Sequence, residues 1–239
     1  MGKNYEISDI KNNSSEFKKS LYSRLDVQVL ELLEYLKSRT DVYIFSGIIR
    51  DYFLNIESIR DLDIVLGKKI DFELINKYIF PNITVKINSF GGYKILINGF
   101  RVDIWSIDNT WGIINERKNA SKQSLINSAF FNFSAILYHL NIEEFYCDNT
   151  FVSFLRNEEI DIVYEKNPNI SLCFINALYY KNKISMPLSA KLKRWIKTNF
   201  SPNLDFKGVQ LRHFGKIIFD DKDIFQFLIF CALDNTYND

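Results

Sequence analysis

Apolar positions follow two different spacings along the chain, and the change in spacing separates a mixed first part from a helical last part. In the first part, short apolar runs bounded by Gly, Asn, Asp and Ser indicate β-strands. The predicted strands cover residues 42–45, 62–66, 83–87, 93–97 and 100–107. Asn98-Gly99 joins the last two runs and favours a two-residue hairpin turn, because both residue types tolerate a positive φ.

Helical spacing of apolar residues surrounds these strands and takes over after Asn167-Pro168. The predicted helices cover residues 25–38, 48–54, 72–80, 123–140, 170–180, 189–200, 208–214 and 222–233, and residues 145–155 are predicted to form a second hairpin. The pattern therefore predicts an α+β fold in which a small mixed sheet with flanking helices precedes an α-helical neck. We place the boundaries at residues 1–24 for an N-terminal extension or loose helix, 25–165 for the head domain and 166–239 for the neck domain.

Composition limits the functions that this fold can serve. The 239 residues suffice for a sizeable core, and 47% hydrophobic with 25% charged residues is an ordinary globular composition. The net charge of +1 gives no global attraction to nucleic acid or membrane, so any polyanion site must be local. The three separated cysteines, the polar N-terminus and the lack of a ~20-residue apolar run predict a cytoplasmic protein with reduced thiols and no membrane segment.

Two carboxylates flank the first apolar residue of the predicted strand at 62–66. Side chains alternate along a strand, so Asp61 and Asp63 lie on the face opposite Leu62. Carboxylates at this spacing can converge on one or two divalent cations, and their hard oxygen ligands suit Mg²⁺. An Asp-x-Asp motif alone more often marks a solvated turn, so the order of the surrounding motifs decides its meaning.

A third carboxylate stands in the predicted strand at 100–107. Asp103 shares a strand face with Arg101. If this strand neighbours the one that holds Asp61 and Asp63, three carboxylates meet on one sheet face. The third then lies where a carboxylate can deprotonate an attacking hydroxyl.

The Ser46-Gly47 turn supplies the other half of the candidate site. A turn that opens a helix points backbone N–H groups at an anion, and Gly47 permits close approach while the Ser46 hydroxyl adds a donor. A triphosphate held at this turn and bridged by metal to Asp61 and Asp63 has the geometry of nucleotidyl transfer. An ordinary turn is the alternative interpretation of the Ser-Gly dipeptide by itself.

The order of these motifs resembles the nucleotidyltransferase fold shared with DNA polymerase beta. In particular, it resembles the head domain of bacterial poly(A) polymerases and class II CCA-adding tRNA nucleotidyltransferases, whose signature runs Gly-Gly-x-Val-Arg-Asp-x-Leu-Leu-Gly and then Asp-x-Asp. The chain reads Ser-Gly-Ile-Ile-Arg-Asp-Tyr-Phe-Leu-Asn at residues 46–55 and Asp-Leu-Asp at residues 61–63. The resemblance continues more weakly over residues 129–138 and 165–196, and it implies a nucleotidyltransferase-type head followed by a helical neck.

The resemblance also implies roles for individual residues. Asp61, Asp63 and Asp103 would be the catalytic residues and would bind Mg²⁺, with two ions expected. An NTP would be the substrate, and the implied nucleotide-binding residues are Ser46, Gly47, Arg50, Asp51 and Asn167. Arg50 would assist the triphosphate or the ribose, whereas a local ion pair is the alternative interpretation of the Arg-Asp dipeptide.

The sequence departs from the family at the residues that select the nucleotide. Ser-Ala-Phe at residues 128–130 replaces an Arg-Arg-Asp triplet, and Lys-Asn-Pro-Asn-Ile at 166–170 replaces the Glu-Asp-x-x-Arg motif that reads the base edge in the family. Asn167 still offers a hydrogen bond to a base. We also expect this chain to lack the long body and tail that would grip a tRNA in the family. The sequence therefore predicts a divergent nucleotidyltransferase rather than a standard CCA-adding enzyme.

A local cationic surface lies in the predicted neck. Between residues 176 and 216 the sequence has nine Lys and Arg residues and a single acid, Asp205. This surface suits the backbone of an RNA acceptor, and a solvated helix face is the equally weighted alternative. The candidate acceptor-binding residues are Lys191, Arg194, Lys197 and Arg212.

Three functions remain open from the sequence. The first is Mg²⁺-dependent transfer of a nucleoside monophosphate from an NTP to an RNA 3′ end, which the motif order and the basic neck favour. The second is transfer to a protein or a small molecule, as in toxin or antibiotic-modifying relatives, which the lost base-reading residues favour. The third is a silent nucleotide-binding module, and three apposed carboxylates argue against it because they repel one another without a metal. The sequence leaves the choice of NTP, the acceptor and the oligomeric state open.

Overall fold

A computed structural model of the chain describes residues 5–57, 60–71, 84–88 and 91–233. Its strands are β1 (Val42–Phe45), β2 (Asp61–Leu66), β3 (Thr84–Ile87), β4 (Tyr93–Ile97), β5 (Phe100–Ser106), β6 (Ile136–His139) and β7 (Glu144–Cys147). Within the described residues these strands form one seven-stranded sheet in the order β3-β4-β5-β2-β1-β6-β7. Neighbouring strands are antiparallel except β2 and β5, which run parallel. The prediction of an α+β fold with a mixed sheet is confirmed.

Helices surround this sheet and form the neck. The eleven helices of the described residues are α1 (Ile7–Asn12), α2 (Ser14–Arg24), α3 (Val27–Lys37), α4 (Gly47–Phe53), α5 (Trp111–Asn115), α6 (Lys122–Asn127), α7 (Asn149–Asn157), α8 (Ile170–Ile184), α9 (Ala190–Asn199), α10 (Phe206–Phe214) and α11 (Asp221–Leu233). None of them combines the length and the apolar character that a membrane crossing requires. The predicted helix at residues 72–80 and the first residue of the predicted strand at 83–87 lie outside the described residues.

Strand β2 lies at the centre of the sheet and separates two apolar clusters. Leu62 and Ile64 are fully buried in the large core, to which α3 and α4 also contribute. Val65 belongs to a smaller cluster on the opposite face. Asp61 and Asp63 alternate with the residues of the large core and share the face of Val65. Burial of the apolar side chains therefore fixes the side of the sheet on which both carboxylates lie.

The N-terminal helices pack onto the head. Ile10 of α1 and Phe17 of α2 are buried in the large core. The Phe17 ring lies 4.9 Å from the ring of Tyr138 and 5.2 Å from that of Tyr52, measured between centroids. Residues that the sequence suggested as an extension or a loose helix thus form two packed helices.

The prediction of one helix over residues 123–140 is wrong. Helix α6 ends at Asn127, and Ile136–His139 is strand β6, which adds to the sheet beside β1. Between them, the Asn132 side chain accepts from the backbone N–H of Phe133 at 2.9 Å and donates to the carbonyl of Glu159 at 2.8 Å. The run from 129 to 138 is apolar except for Asn132 and Ser134, so its period does not distinguish a buried helix from a buried strand.

The predicted hairpin at residues 145–155 is also wrong. Strand β7 pairs with the preceding strand β6, and helix α7 follows at once. The Asp148 side chain accepts from the backbone N–H of Thr150 at 2.8 Å and thereby caps that helix. By contrast, the hairpin at Asn98-Gly99 is confirmed, with φ values of 49° and 83°.

Aromatic packing attaches the neck to the head. Trp195 of α9 packs against Phe130 with ring centroids 4.9 Å apart, and its Nε1–H donates to the carbonyl of Glu165 at 2.9 Å. The Tyr180 ring of α8 lies 4.7 Å from the ring of Phe133. The guanidinium of Arg50 in α4 lies 4.5 Å from the ring centroid of the same Tyr180, so α4 and α8 face each other beside the carboxylates.

Candidate active site

The turn between β1 and α4 has a constrained backbone. Ser46 has φ 59° and ψ −102°, a combination that residues other than Gly rarely adopt. Its hydroxyl lies 2.7 Å from the hydroxyl of Ser134, which holds the side chain in place. A Cβ added at Gly47 would meet no described atom within 4 Å. The first turn of α4 therefore leaves open space beside backbone N–H groups that have no acceptor within the helix.

The parallel pairing of β2 with β5 brings the three predicted carboxylates together on one sheet face. Asp63 lies directly opposite Asp103, and Asp61 lies opposite Arg101. Paired residues point to the same side of a sheet. The juxtaposition of Asp103 with the Asp61–Asp63 pair, which the sequence left as an assumption, is present in the structure.

Burial, together with repulsion from neighbouring carboxylates, raises the pKa of both Asp63 and Asp103. Burial, reinforced by the negative charges of Asp61 and Asp103, raises the pKa of Asp63 to about 7. Burial also raises the pKa of Asp103, although the positive charges of Lys94 and Arg101 oppose that rise. A cation bound beside Asp63 would offset the repulsion among the three carboxylates.

Arg60 neutralises one of the three carboxylates. Its Nη2 lies 2.8 Å and its Nε 3.0 Å from Oδ2 of Asp61. Within the described part of the chain, no three His, Cys, Asp or Glu side chains form a ready-made metal cluster. The donor set still suits a hard divalent cation, because Asp63 and Asp103 are carboxylates on adjacent strands and Asp61 is on the same face.

A cavity of about 340 Å³ separates α4 from α8; we call it the first cavity. Its floor includes Asp61 and Asp63, and its end is the Ser46–Gly47 turn. Tyr179, Tyr180 and Lys183 of α8 form the neck wall. Arg60 and Arg50 also line this space, so the first cavity brings together a turn, carboxylates, three cations and aromatic rings.

Arg50 and Asp51 belong to the wall of the first cavity and are already paired. Arg50 Nη2 lies 2.6 Å from Asp51 Oδ1, and Lys183 Nζ lies 3.1 Å from Asp51 Oδ2. The Arg50 guanidinium lies 4.5 Å from the ring centroid of Tyr180 and 5.1 Å from that of Phe133. The local ion pair that the sequence offered as an alternative is present, and it is buried rather than exposed.

A second cavity of about 420 Å³ adjoins the same carboxylates on the other side. Asp61 lines both cavities, and Asp103 lines the second. The head contributes Lys94 and Arg101 to its wall, and α10 contributes Arg212 and His213. Burial and the positive charges of neighbouring Arg60, Lys94 and Arg101 lower the pKa of His213 to about 4. The His213 ring is therefore neutral at physiological pH.

Several predicted residues lie elsewhere. The Asn167 side chain accepts from the backbone N–H of Asn169 at 2.9 Å, in the turn before α8. Lys191 donates to the carbonyl of Ile162 at 3.0 Å and pairs with Glu165 at 3.1 Å. The described linings of the two cavities include Arg212 but not Asn167, Lys191, Arg194 or Lys197.

Sequence reasoning missed the contributions of Arg60, Lys94, Tyr179 and Lys183 to the site. Three signals were present in the sequence. Arg60 directly precedes the Asp-x-Asp motif, and Tyr179 and Lys183 are four residues apart on one face of α8. The third signal concerned Lys94, because a two-residue hairpin at Asn98-Gly99 fixes the register that places Lys94 opposite Asp103.

Comparison with known proteins gives matches among solved structures alone. No protein-family model matches the sequence, and neither does any curated protein. A CCA-adding enzyme in complex with CTP is 15% identical with a TM-score of 0.62, over 90% of this chain and 54% of that chain. The apo form of a CCA-adding enzyme is 15% identical with a TM-score of 0.63, over 89% of this chain and 53% of that chain. A tRNA nucleotidyltransferase complexed with a primer tRNA and an incoming ATP analogue is 16% identical with a TM-score of 0.57, over 86% of this chain and 60% of that chain.

The similarity shows the fold. This chain has the mixed α+β head and helical neck architecture of CCA-adding enzymes, as the resemblance in the sequence implied. It spans 53–60% of the length of these three solved structures.

Proposed function

We propose that this protein, whose fold is that of CCA-adding enzymes, is a metal-dependent nucleotidyltransferase that transfers a nucleoside monophosphate from an NTP to the 3′ hydroxyl of an RNA. One observation carries the proposal. Asp63 pairs with Asp103 and follows Asp61 by two residues, beside a cavity that ends at Ser46 and Gly47. The cysteines are free thiols, which supports the cytoplasm as the compartment.

Asp61, Asp63 and Asp103 are the residues that would hold the metal, with two Mg²⁺ ions expected. Burial is the main cause of the raised pKa of Asp63, and the charges of Asp61 and Asp103 add to it; a cation at this place would relieve that repulsion. Bound Mg²⁺ would supply charge neutralisation at the triphosphate and at the attacking and leaving oxygens.

The first cavity is the proposed NTP site. The backbone N–H of Gly47 donates to a phosphate oxygen, because the N–H of Ser46 already donates to the carbonyl of Ile136. The Ser46 hydroxyl, which donates to Ser134 in the structure, turns to the phosphate when the NTP binds. Arg60 and Lys183 add positive charge on two sides of the same space. Arg50 and Asp51 serve this site by fixing the position of Lys183, because both Asp51 oxygens are already engaged.

Base selection differs in this proposal from that of a standard CCA-adding enzyme. The side-chain carbonyl of Asn167 is engaged in a local turn, and Ile170 stands where the family has the base-reading Arg. The residues of α8 that line the first cavity are Tyr179, Tyr180 and Lys183. We assign contact with the base to this wall, where Tyr179 offers an aromatic surface.

The acceptor hydroxyl enters from the second cavity. Asp103 lines that cavity and has a raised pKa, which suits a carboxylate that accepts a proton from an attacking hydroxyl. Asp61 lies between the two substrates, because it lines both cavities.

Transfer of label tests the proposal. The purified protein is incubated with each α-labelled NTP, Mg²⁺ and either total RNA or a protein extract. We expect label in RNA, and we expect Asp61→Asn and Asp63→Asn to abolish it while both variants keep the wild-type far-ultraviolet circular dichroism. Label in protein or in a small molecule would support the alternative acceptors. Absence of labelling together with absence of an NTP-induced thermal shift would support a silent module and refute the enzyme.

A further inference from the structure

Four charged side chains form one row across the sheet, beginning at the carboxylates and ending at β3. Asp63 of β2 lies opposite Asp103 of β5, Asp103 lies opposite Lys94 of β4, and Lys94 lies opposite Lys86 of β3. Residues that pair directly share a sheet face. The row therefore changes from two acids to two lysines over neighbouring strands, which lie ~4.8 Å apart.

The lysine half of this row forms the wall of the second cavity. Lys86, Lys94 and Asp103 all line that cavity, and the next row of the register adds Arg101 opposite Asp61. Lys86, Lys94 and Arg101 are exposed to solvent. The cations are thus accessible to a ligand that reaches as far as Asp103.

Helix α10 of the neck forms the opposite wall. Arg212 adds a fourth cation, and its guanidinium lies 3.1 Å from Asp205. His213 adds an aromatic ring that packs edge-on against Phe214, with ring centroids 4.6 Å apart. An aromatic ring offers a stacking surface for a base, whereas the lysines offer charge for phosphates.

We propose that this row is the binding track for the 3′-terminal segment of a single-stranded nucleic acid acceptor. The terminal hydroxyl lies at Asp103, and the phosphates that precede it contact Lys94 and then Lys86 as the strand runs towards β3. The base of a terminal nucleotide stacks on the wall that carries His213. This inference rests on the proposed function and adds the path that its acceptor follows across the sheet.

The charge pattern favours nucleic acid over a protein acceptor. A nucleic acid strand carries one negative charge per nucleotide, which matches a succession of cations on neighbouring strands. A protein hydroxyl would need space at Asp103 but not a series of cations that leads away from it. The basic face of α9 is a weaker candidate, because Lys191 already pairs with Glu165 and the residues of that face do not line the described second cavity.

The test measures RNA binding and NTP binding separately. The variant is Lys86→Gln/Lys94→Gln, which removes two charges and keeps most of each side-chain stem. The matched control is Lys11→Gln/Lys19→Gln, which removes two exposed charges from α1 and α2. A third variant, Lys191→Gln/Lys197→Gln, tests the face of α9. The probe is a labelled single-stranded RNA of about ten nucleotides, within the usual site size, in fluorescence anisotropy at several salt concentrations.

We expect the Lys86/Lys94 variant to bind the RNA at least ~10-fold more weakly, with the slope of log K against log salt reduced by about 1.4 for two lost phosphate contacts. Its NTP-induced thermal shift should equal that of the wild type, because neither lysine lines the first cavity. The track would be overturned if this variant kept the affinity and the salt slope of the wild type, or if the α9 variant lost RNA affinity instead. In either case, RNA labelling by the wild type would still support the proposed function. Label in protein with no RNA binding by the wild type would overturn both.

Discussion

Arg60 holds Asp61 through two hydrogen bonds to the same oxygen, from Nη2 at 2.8 Å and from Nε at 3.0 Å. The two residues are neighbours in the sequence, and Asp61 is the one residue of the carboxylate set that lines both described cavities. A fixed cation therefore occupies one of the three groups that we propose as metal ligands. This pairing reduces repulsion within the site and competes with any other cation for Asp61.

Substitution of Arg60 should strengthen binding of a divalent cation. In Arg60→Gln the carboxylate of Asp61 is free, so we expect Mn²⁺ to bind severalfold more tightly in isothermal titration at pH 8.5. The alkaline pH matters because the positive charge of Arg60 lowers the pKa of Asp63, so its loss raises that pKa further. Arg60→Lys keeps the charge and should bind Mn²⁺ much as the wild type does. Weaker Mn²⁺ binding in Arg60→Gln would show that Arg60 does not compete for the site.

Stability should fall as the pH rises through 7, because of Asp63. The pKa of Asp63 is about 7 in the folded state against an ordinary value of 3.8, so the folded state binds the extra proton between these pH values. The free energy of unfolding therefore decreases with increasing pH across this window. We expect Asp63→Asn to stabilise the protein at pH 8 by roughly 2–4 kcal/mol and to have little effect at pH 4.

Urea unfolding at pH 4, 6 and 8 measures this effect. Asp108→Asn, at an exposed position, is the matched control and should leave the pH dependence of the wild type intact. Mg²⁺ should stabilise the wild type more at pH 8 than at pH 6, because the deprotonated carboxylate is the ligand. Equal pH dependence in Asp63→Asn and the wild type would rule out Asp63 as its source.

The buried pair of Arg50 and Asp51 should behave as a unit. Asp51→Asn leaves the Arg50 guanidinium, which is 3% exposed, without its carboxylate, and we expect a loss of about 3–5 kcal/mol in the free energy of unfolding. Arg50→Met/Asp51→Asn removes both charges and should lose less than the sum of the single losses. Urea unfolding of the four proteins gives the coupling energy, and additive losses would mean that the pair is not coupled.

The sequence predicted correctly those features of the fold and the site that depend on a local pattern of residues. Alternation placed Asp61 and Asp63 on one face of a strand, and Asn98-Gly99 placed a hairpin, because each depends on neighbouring residues. The position of Asp103 opposite Asp63 depends on a parallel pairing of strands forty residues apart in the chain. The sequence therefore predicted this position only if the two strands were neighbours in the sheet.

The prediction of a helix over residues 123–140 was wrong for a physical reason. Residues 136–139 are buried on both faces as strand β6, and an apolar run without a polar face carries no period. The resemblance implied that Arg50 assists the triphosphate or the ribose, and packing sets how it could do so: the guanidinium lies beside the rings of Tyr180 and Phe133 and pairs with Asp51 in the wall of the first cavity. Sequence identifies which residues are charged, but packing decides which of them remain accessible to a ligand.

Ser46 combines an unfavourable backbone conformation with a place in the wall of the first cavity. Its φ of 59° with ψ of −102° costs an L-residue about 1–3 kcal/mol. Ser46→Ala keeps this strain and loses the hydrogen bond with Ser134, so it should destabilise the protein by about 1 kcal/mol. Ser46→Gly loses the same bond but relieves the strain, so it should be more stable than Ser46→Ala, the reverse of the usual order of these two residues. Thermal or urea unfolding measures this order.

The same variants separate the structural role of Ser46 from its proposed contact with phosphate. If its hydroxyl donates to the triphosphate, Ser46→Ala and Ser46→Gly should both raise the KM for the NTP by about 5- to 20-fold, the loss of one hydrogen bond to a charged group. Ser134→Ala removes the same side-chain hydrogen bond and keeps the Ser46 hydroxyl, so its KM should stay within about 2-fold of the wild type. An equal rise of the KM in all three variants would assign the effect to the position of the turn. A wild-type KM in Ser46→Gly would show that the hydroxyl does not donate to the phosphates. The backbone of the turn would then be the remaining phosphate donor.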